Sequence, residues 1–108
     1  MAGRALQVLL EQYNLSVTIC KNAKDGIDAA KKTNFSIIFI DLDLPDQHGL
    51  SVIEQMRDLK QYVKTPMFIL SGYVSKETKE KCFSVGANEA FEKPLRATDV
   101  MKILEVYA

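Results

Sequence analysis

The chain has 108 residues, 47% hydrophobic and 26% charged. That is the make-up of one ordinary globular domain, long enough to bury a core without staples. Fourteen basic and fourteen acidic residues cancel to a net charge of zero, which argues against nucleic acid or an anionic membrane as partner, since both demand a basic excess. No apolar run reaches the roughly 20 residues of a membrane span, and no basic-then-apolar leader opens the chain. A cytoplasmic protein is expected. Cys20 and Cys82 are too far apart in sequence for a CxxC or zinc pattern, and a disulfide between them would need a proximity that spacing does not show.

In chain order, Leu6, Leu9, Leu10 and Tyr13 fall on one face of an N-terminal helix. Residues 16–20 alternate in polarity and suit an edge strand. Asn22 with Asp25 three residues on resembles a capping box opening a helix through Gly26, Ile27, Ala29 and Ala30. Residues 35–40 are nearly all apolar and end abruptly in Asp41. Leu50, Ile53 and Met56 line a helix after Gly49. Residues 66–70 form a second apolar strand, ending at Ser71 and Gly72. Thr78, Cys82 and Val85 mark the next helix, closed by Gly86 at the usual C-terminal position. A shorter strand at 88–92 ends at Lys93 and Pro94, and Val100, Ile103, Leu104 and Tyr107 mark the last helix.

Continuously apolar strands are those covered on both faces, as in parallel sheets. The order α-β-α-β-α-β-α-β-α therefore predicts an α/β fold with right-handed helical crossovers. Ligands of such sheets sit beyond the carboxyl ends of the strands, where Asp41, Ser71 and Lys93 all stand. Each has an ordinary reading as a cap, a turn residue or a solvated lysine. Together they suit phosphoryl transfer: the carboxylate is the nucleophile that forms an acyl phosphate, while hydroxyl and ammonium stabilise the transferring oxygens. Gly72, without a side chain, leaves space for a donor to approach.

The segment Phe39-Ile40-Asp41-Leu42-Asp43-Leu44-Pro45-Asp46-Gln47-His48-Gly49 resembles the phosphoacceptor segment of two-component response-regulator receiver domains. There an Asp ending the third strand is followed by Pro four residues on and Gly eight on. Leu70-Ser71-Gly72 resembles the family's pair of a hydroxyl and a small residue. Gly86-Ala87-Asn88-Glu89-Ala90-Phe91-Glu92-Lys93-Pro94 resembles its Gly-Ala and Lys-Pro block. The likeness covers essentially the whole chain, residues 1–108, with three motifs in order.

The resemblance implies a flavodoxin-like, doubly wound parallel sheet in three layers, α-β-α. It implies that Asp41 accepts phosphate from a phosphohistidine of a histidine kinase or histidine phosphotransfer protein. Ser71 would swing to a phosphoryl oxygen, Lys93 would pair with the Asp41 or phosphoryl charge, and the carbonyl of Asp43 would help hold Mg2+. The peptide bond before Pro94 would be cis. The added charge of roughly −1.5 to −2 would bias a two-state surface made by the last strand and the helices flanking it. Such a domain is a signalling switch and not an enzyme, beyond catalysing its own phosphoryl transfer.

Two departures qualify the likeness. Family members begin with a strand ending in two magnesium-binding acids, whereas this chain begins within the helix that follows it, so a receiver incomplete at its N-terminus is expected. Asp41 and one carbonyl would then hold magnesium weakly, and the strand at 35–40 would lose a neighbour in the 2-1-3-4-5 order. Three repairs of that edge are open: direct pairing with residues 16–20, a homodimer through the exposed edge, or a longer native chain, the last being favoured. The second departure is Ala90, where the family often carries an aromatic that rotates with the switch hydroxyl; Phe91 beside it should face the other way. Tyr73 could instead shape access to the pocket.

Two alternatives stay open. Asp41-Leu42-Asp43 also resembles the nucleophile segment of haloacid-dehalogenase-type phosphatases, although only Asp99 and Glu105 follow the lysine to serve as their acidic pair. A phosphorylation-independent pseudo-receiver, acting as an interaction module, is the other. His48, the only histidine, reads as a solvated loop residue rather than a phosphohistidine, and the alternating charges of 76–81 as a solvated helix face.

Overall fold

The computed structural model describes residues 2–12 and 22–107, and side chains from residue 7 onward. The expected strand at 16–20, together with Tyr13, Cys20 and the side chain of Leu6, lies outside the described residues. Within them the order is α1 (Ala2–Glu11), α2 (Ala23–Lys32), β1 (Ile38–Asp41), α3 (Gly49–Arg57), a 3-10 turn (Lys60–Tyr62), β2 (Met67–Ser71), α4 (Lys76–Val85), β3 (Glu89–Glu92) and α5 (Ala97–Tyr107). The three strands form one parallel sheet in the order β1-β2-β3, as α/β patterning predicts.

The strands begin later than their apolar runs suggest. Pro66 has no amide proton to give a ladder, and its carbonyl accepts from Ile38 N at 3.0 Å, so pairing starts there. Upstream of that point the Phe35 amide turns to the Tyr62 hydroxyl instead (3.4 Å). Asn88 likewise drops out of β3, its side chain accepting from Met67 N at 2.9 Å and its amide donating to Met67 O at 2.7 Å.

One sheet face carries Ile38, Ile40, Met67, Ile69 and Ala90, which pack with Ala23, Ala30, Val52, Ile53, Met56 and Cys82 of α2, α3 and α4. Burying each large apolar side chain contributes about 1.5–3 kcal/mol. On the other face Phe39, Phe68 and Phe91 form a row across the three strands, with centroids 5.4 and 5.8 Å apart. Tyr107 of α5 meets Phe68 edge-on at 5.2 Å. Phe91 and the buried Ala90 thus point to opposite faces, as strand alternation requires.

Helix ends follow the local signals. Asn22 caps α2 by accepting from Asp25 N (2.8 Å). The reciprocal arm differs from a standard capping box, since the Asp25 carboxylate takes the Asn22 side-chain amide at 3.2 Å. Ser75 caps α4 through Thr78 N, and Gly86 closes it with φ 110, a left-handed conformation that glycine adopts without a Cβ clash.

Candidate functional site

Parallel pairing carries the ends of all three strands to one rim. Asp41 is the last residue of β1, opposite Leu70, and pairing runs one step further through Leu42 N to Leu70 O (2.9 Å). Ser71 ends β2, and its carbonyl accepts from Lys93 N at 2.8 Å. Backbone geometry therefore sets Ser71 between the strand of Asp41 and the residue Lys93. At the rim Lys93 Nζ lies 2.6 Å from Asp41 Oδ2, with both side chains about one-third exposed (29% and 34%). The other carboxylate oxygen, Oδ1, accepts from Asp43 N at 3.0 Å. Asp41 is thus held at both oxygens and open to solvent on the remaining side.

The loop after Asp41 is folded against it. Asp43 and His48 pair as an isolated antiparallel bridge, and Gly49 N donates to Leu42 O at 2.8 Å. A Cβ on Gly49 would lie 2.5 Å from the carbonyl oxygen of Asp41 and 2.8 Å from Leu42 Cα. The glycine eight residues beyond the aspartate is therefore a contact requirement: only a residue without a side chain lets α3 begin against the backbone of Asp41. His48, exposed as expected, has a task as well, its Nδ1 accepting from Leu50 N (3.3 Å) to cap α3.

Ser71 is buried, at 5% exposure. Its hydroxyl donates to Tyr73 O at 3.1 Å, so the structure brings Asp41 and Lys93 together directly and Ser71 only by register. Gly72 stands in open space, with no atom within 4 Å of where its Cβ would sit. The Lys93-Pro94 peptide is cis, as expected. Ala90 is one of the residues lining an open cleft of about 240 Å³, with Val74, Lys79, Phe91, Glu92, Arg96 and Asp99. Cys82 is a buried free thiol, its pKa pushed up by burial and by the Glu89 charge, which makes it a poor nucleophile.

Magnesium asks for an octahedral oxygen shell and commonly takes one or two carboxylates plus phosphate and water. Among the described residues no group of three or more His, Cys, Asp or Glu is placed to hold a metal ion. Asp41 and the Asp43 carbonyl supply a fraction of a shell, so these residues alone do not complete a magnesium site.

Sequence reasoning missed Asp46. Its carboxylate reaches across to α2, accepting from Ala23 N at 2.8 Å and Lys24 N at 3.0 Å. These bonds hold its pKa below the ordinary carboxylate value. The anion satisfies free helix N–H groups and the positive end of the helix dipole, tying the loop after Asp41 to α2. Nothing local announces this, because the partners lie more than twenty residues upstream.

Comparison with known proteins identifies the family. The model of the response regulator receiver domain matches residues 1–105. The chain belongs to that family. The cell cycle transcriptional regulator CtrA of Caulobacter vibrioides is 30% identical over 99 residues, 92% of this chain and 42% of that protein; the chain thus spans about two-fifths of such curated relatives. The solved chemotaxis response regulator CheY4 of Vibrio cholerae superposes with TM-score 0.89 at 24% identity, covering 98% of this chain and 88% of that one. The receiver domain of a sensor histidine kinase of Pseudomonas aeruginosa, solved with a magnesium ion coordinated in its active-site cleft, reaches TM-score 0.85 at 20% identity, covering 96% and 85%. The fold is the flavodoxin-like receiver fold, and this receiver is a phosphoacceptor signalling domain of the two-component type. That assignment favours the switch over the phosphatase reading. No helix among the described residues is long and apolar enough to cross a membrane.

Proposed function

We propose that residues 1–108 act as one receiver unit in which Asp41 accepts the phosphoryl group of a phosphohistidine. An Asp41 carboxylate oxygen attacks phosphorus, the P–N bond breaks, and its electron pair leaves with the imidazole, which takes up a proton. The observation that carries the reading is the 2.6 Å contact of Lys93 Nζ with Asp41 Oδ2 at the open rim of the sheet. The ammonium offsets charge on the oxygens in the transition state, and Ser71 turns its hydroxyl to a phosphoryl oxygen. The unit works as a switch whose only catalysis is its own phosphorylation, with a histidine kinase or histidine phosphotransfer protein as donor in the cytoplasm.

Magnesium would be held weakly here, through Asp41 and the Asp43 carbonyl, and would help neutralise phosphoryl charge. The curated relative is named a transcriptional regulator; the zero net charge of these 108 residues supports a protein partner for this unit, whatever adjoining segments bind. Among the described residues β1 has a strand on one side only, and its outer edge is where a second copy would pair. Sedimentation showing a folded monomer at every concentration would remove the dimer.

Incubation with acetyl phosphate and Mg2+, followed by intact mass measurement, tests the reading. A gain of about 80 Da, absent in Asp41→Asn, is the expected result. No adduct on a folded protein would instead support the phosphorylation-independent interaction module, which the incomplete magnesium shell favours.

A further inference from the structure

We propose that Asp46 is a positioning residue for Asp41: by fastening the loop after Asp41 to the start of α2, it holds the Asp43 amide on Asp41 Oδ1 and so fixes the direction in which that carboxylate faces the rim. The consequence for phosphoryl transfer rests on the reading of Asp41 as phosphoacceptor; the fastening stands on the geometry of the loop.

The loop is closed at its base and tied at its tip. Asp43 and His48 pair as an antiparallel bridge, and Gly49 N closes on Leu42 O at 2.8 Å. Asp46 lies between the bridged residues. Its oxygens take two consecutive amides, Ala23 N on Oδ1 at 2.8 Å and Lys24 N on Oδ2 at 3.0 Å. Two directional bonds on one planar group set orientation as well as distance. Only Leu44 and Pro45 separate Asp46 from Asp43, and proline locks its own φ, so the tether has little slack.

The post to which the loop is tied is firm. Ala23 and Ala30 of α2 are buried in the core, Asn22 caps its start and the Tyr62 hydroxyl meets Ala30 O near its end. The loop's own contribution to the core is Leu42 and Leu44, both partly buried, and apolar contact holds a segment down without giving it a direction. The exposed Asp46 carboxylate supplies that direction.

Asp43 passes it on. Its amide donates to Asp41 Oδ1 at 3.0 Å, opposite the Lys93 ammonium on Oδ2. A lysine has a flexible four-carbon stem and follows its partner. The Asp43 amide belongs to the backbone, so of the two it is the partner that dictates how the Asp41 carboxylate is turned. Misplacing a reacting group by about 1 Å costs up to roughly a hundredfold in rate.

Amide hydrogen exchange and adduct formation, measured together, test the proposal. In Asp46→Ala the Asp43 and Gly49 amides should exchange about five- to tenfold faster while those of β2 stay unchanged. Acetyl phosphate with Mg2+ should build the Asp41 adduct about tenfold more slowly or worse. Asp46→Asn keeps one acceptor oxygen and should recover part of both; it carries the same test if the alanine variant does not fold. Tyr62→Phe, which loosens α2 at its other end, should leave Asp43 exchange and the adduct rate at wild-type values. Unchanged Asp43 exchange in the Asp46 variants overturns the proposal, as does faster exchange with a wild-type adduct rate. Equal slowing in Tyr62→Phe also overturns it, because lost stability would then be the cause. If wild type forms no adduct while Asp43 exchange still quickens in the variants, the reading of Asp41 as phosphoacceptor falls and the positioning of its carboxylate stands.

Discussion

At the amino end of the sheet Arg57 alone donates to the carbonyls of Tyr62, Val63, Thr65 and Gly86 and to Asn88 Oδ1, at 2.6 to 3.3 Å. At the carboxyl end the Asp41 carboxylate has one ammonium and one amide, and a Cβ added at Gly72 would point into open space. Both ends concentrate polar groups, but only the first saturates them. Beside Arg57, the buried Tyr62 reaches Ala30 O (2.6 Å) and Thr33 O and accepts from Phe35 N. It thereby ties the end of α2 to the approach of β1. The difference separates two tasks: a saturated floor sets the register of the strands, and an undersatisfied rim keeps capacity for a group that arrives later.

Substitutions should divide along the same line, with the largest stability effects on the floor. Arg57→Ala strands several carbonyls and an asparagine at once, and hydrogen bonds from charged donors contribute about 1.5–3 kcal/mol each. A loss of about 3 kcal/mol in denaturant melts is expected. Burial already lowers the Arg57 pKa. Lysine cannot reproduce the planar fork, so Arg57→Lys should recover only a minor part.

Gly49→Ala, at the rim itself, should rank next in its effect on stability. Its new Cβ would collide with the Asp41 carbonyl, and overpacking of this kind costs about 1–3 kcal/mol. It should also slow phosphorylation, because what shifts is the backbone of Asp41, the proposed acceptor. A variant equal to wild type in both melts and adduct formation would remove the contact argument for this glycine.

Tyr62→Phe keeps the ring and deletes the hydroxyl, leaving one carbonyl at the end of α2 without its donor and the Phe35 amide without its acceptor. About 1–2 kcal/mol of destabilisation is expected, with phosphorylation of the folded protein unaffected.

Asp46 adds a pH dependence. Its folded pKa is depressed by the Ala23 and Lys24 amides, so its contribution is present above the unfolded carboxylate value of about 3.9. It is lost as pH falls through the lower folded value. Thermal melts of wild type and Asp46→Asn should therefore differ at neutral pH and converge in acid. A constant gap between the two curves would exclude the carboxylate as the source.

The smallest stability effect belongs to the rim. The Asp41–Lys93 pair is partly exposed, and such pairs contribute about 0–1 kcal/mol. Asp41→Asn and Lys93→Ala should melt within that margin of wild type while the phosphoryl adduct is abolished or much slowed. A large loss of stability in either would mean that the rim is structural after all.

Much of this could be read from the chain alone. Apolar runs ending at Asp41, Ser71 and Lys93 identified the parallel strands and their common rim, and the cap at Asn22 and the stop at Gly86 depend on residues within a few positions of each other. Such signals are local, since backbone propensity, period and capping act over one turn. Tertiary structure alone decided that Asp46 would cap α2, that Arg57 would gather carbonyls 29 residues away at Gly86, and that Tyr62 would reach back to the end of α2. Those arrangements depend on where helices pack over a sheet, and a hydrogen bond between distant residues leaves no period or motif in the sequence to mark it.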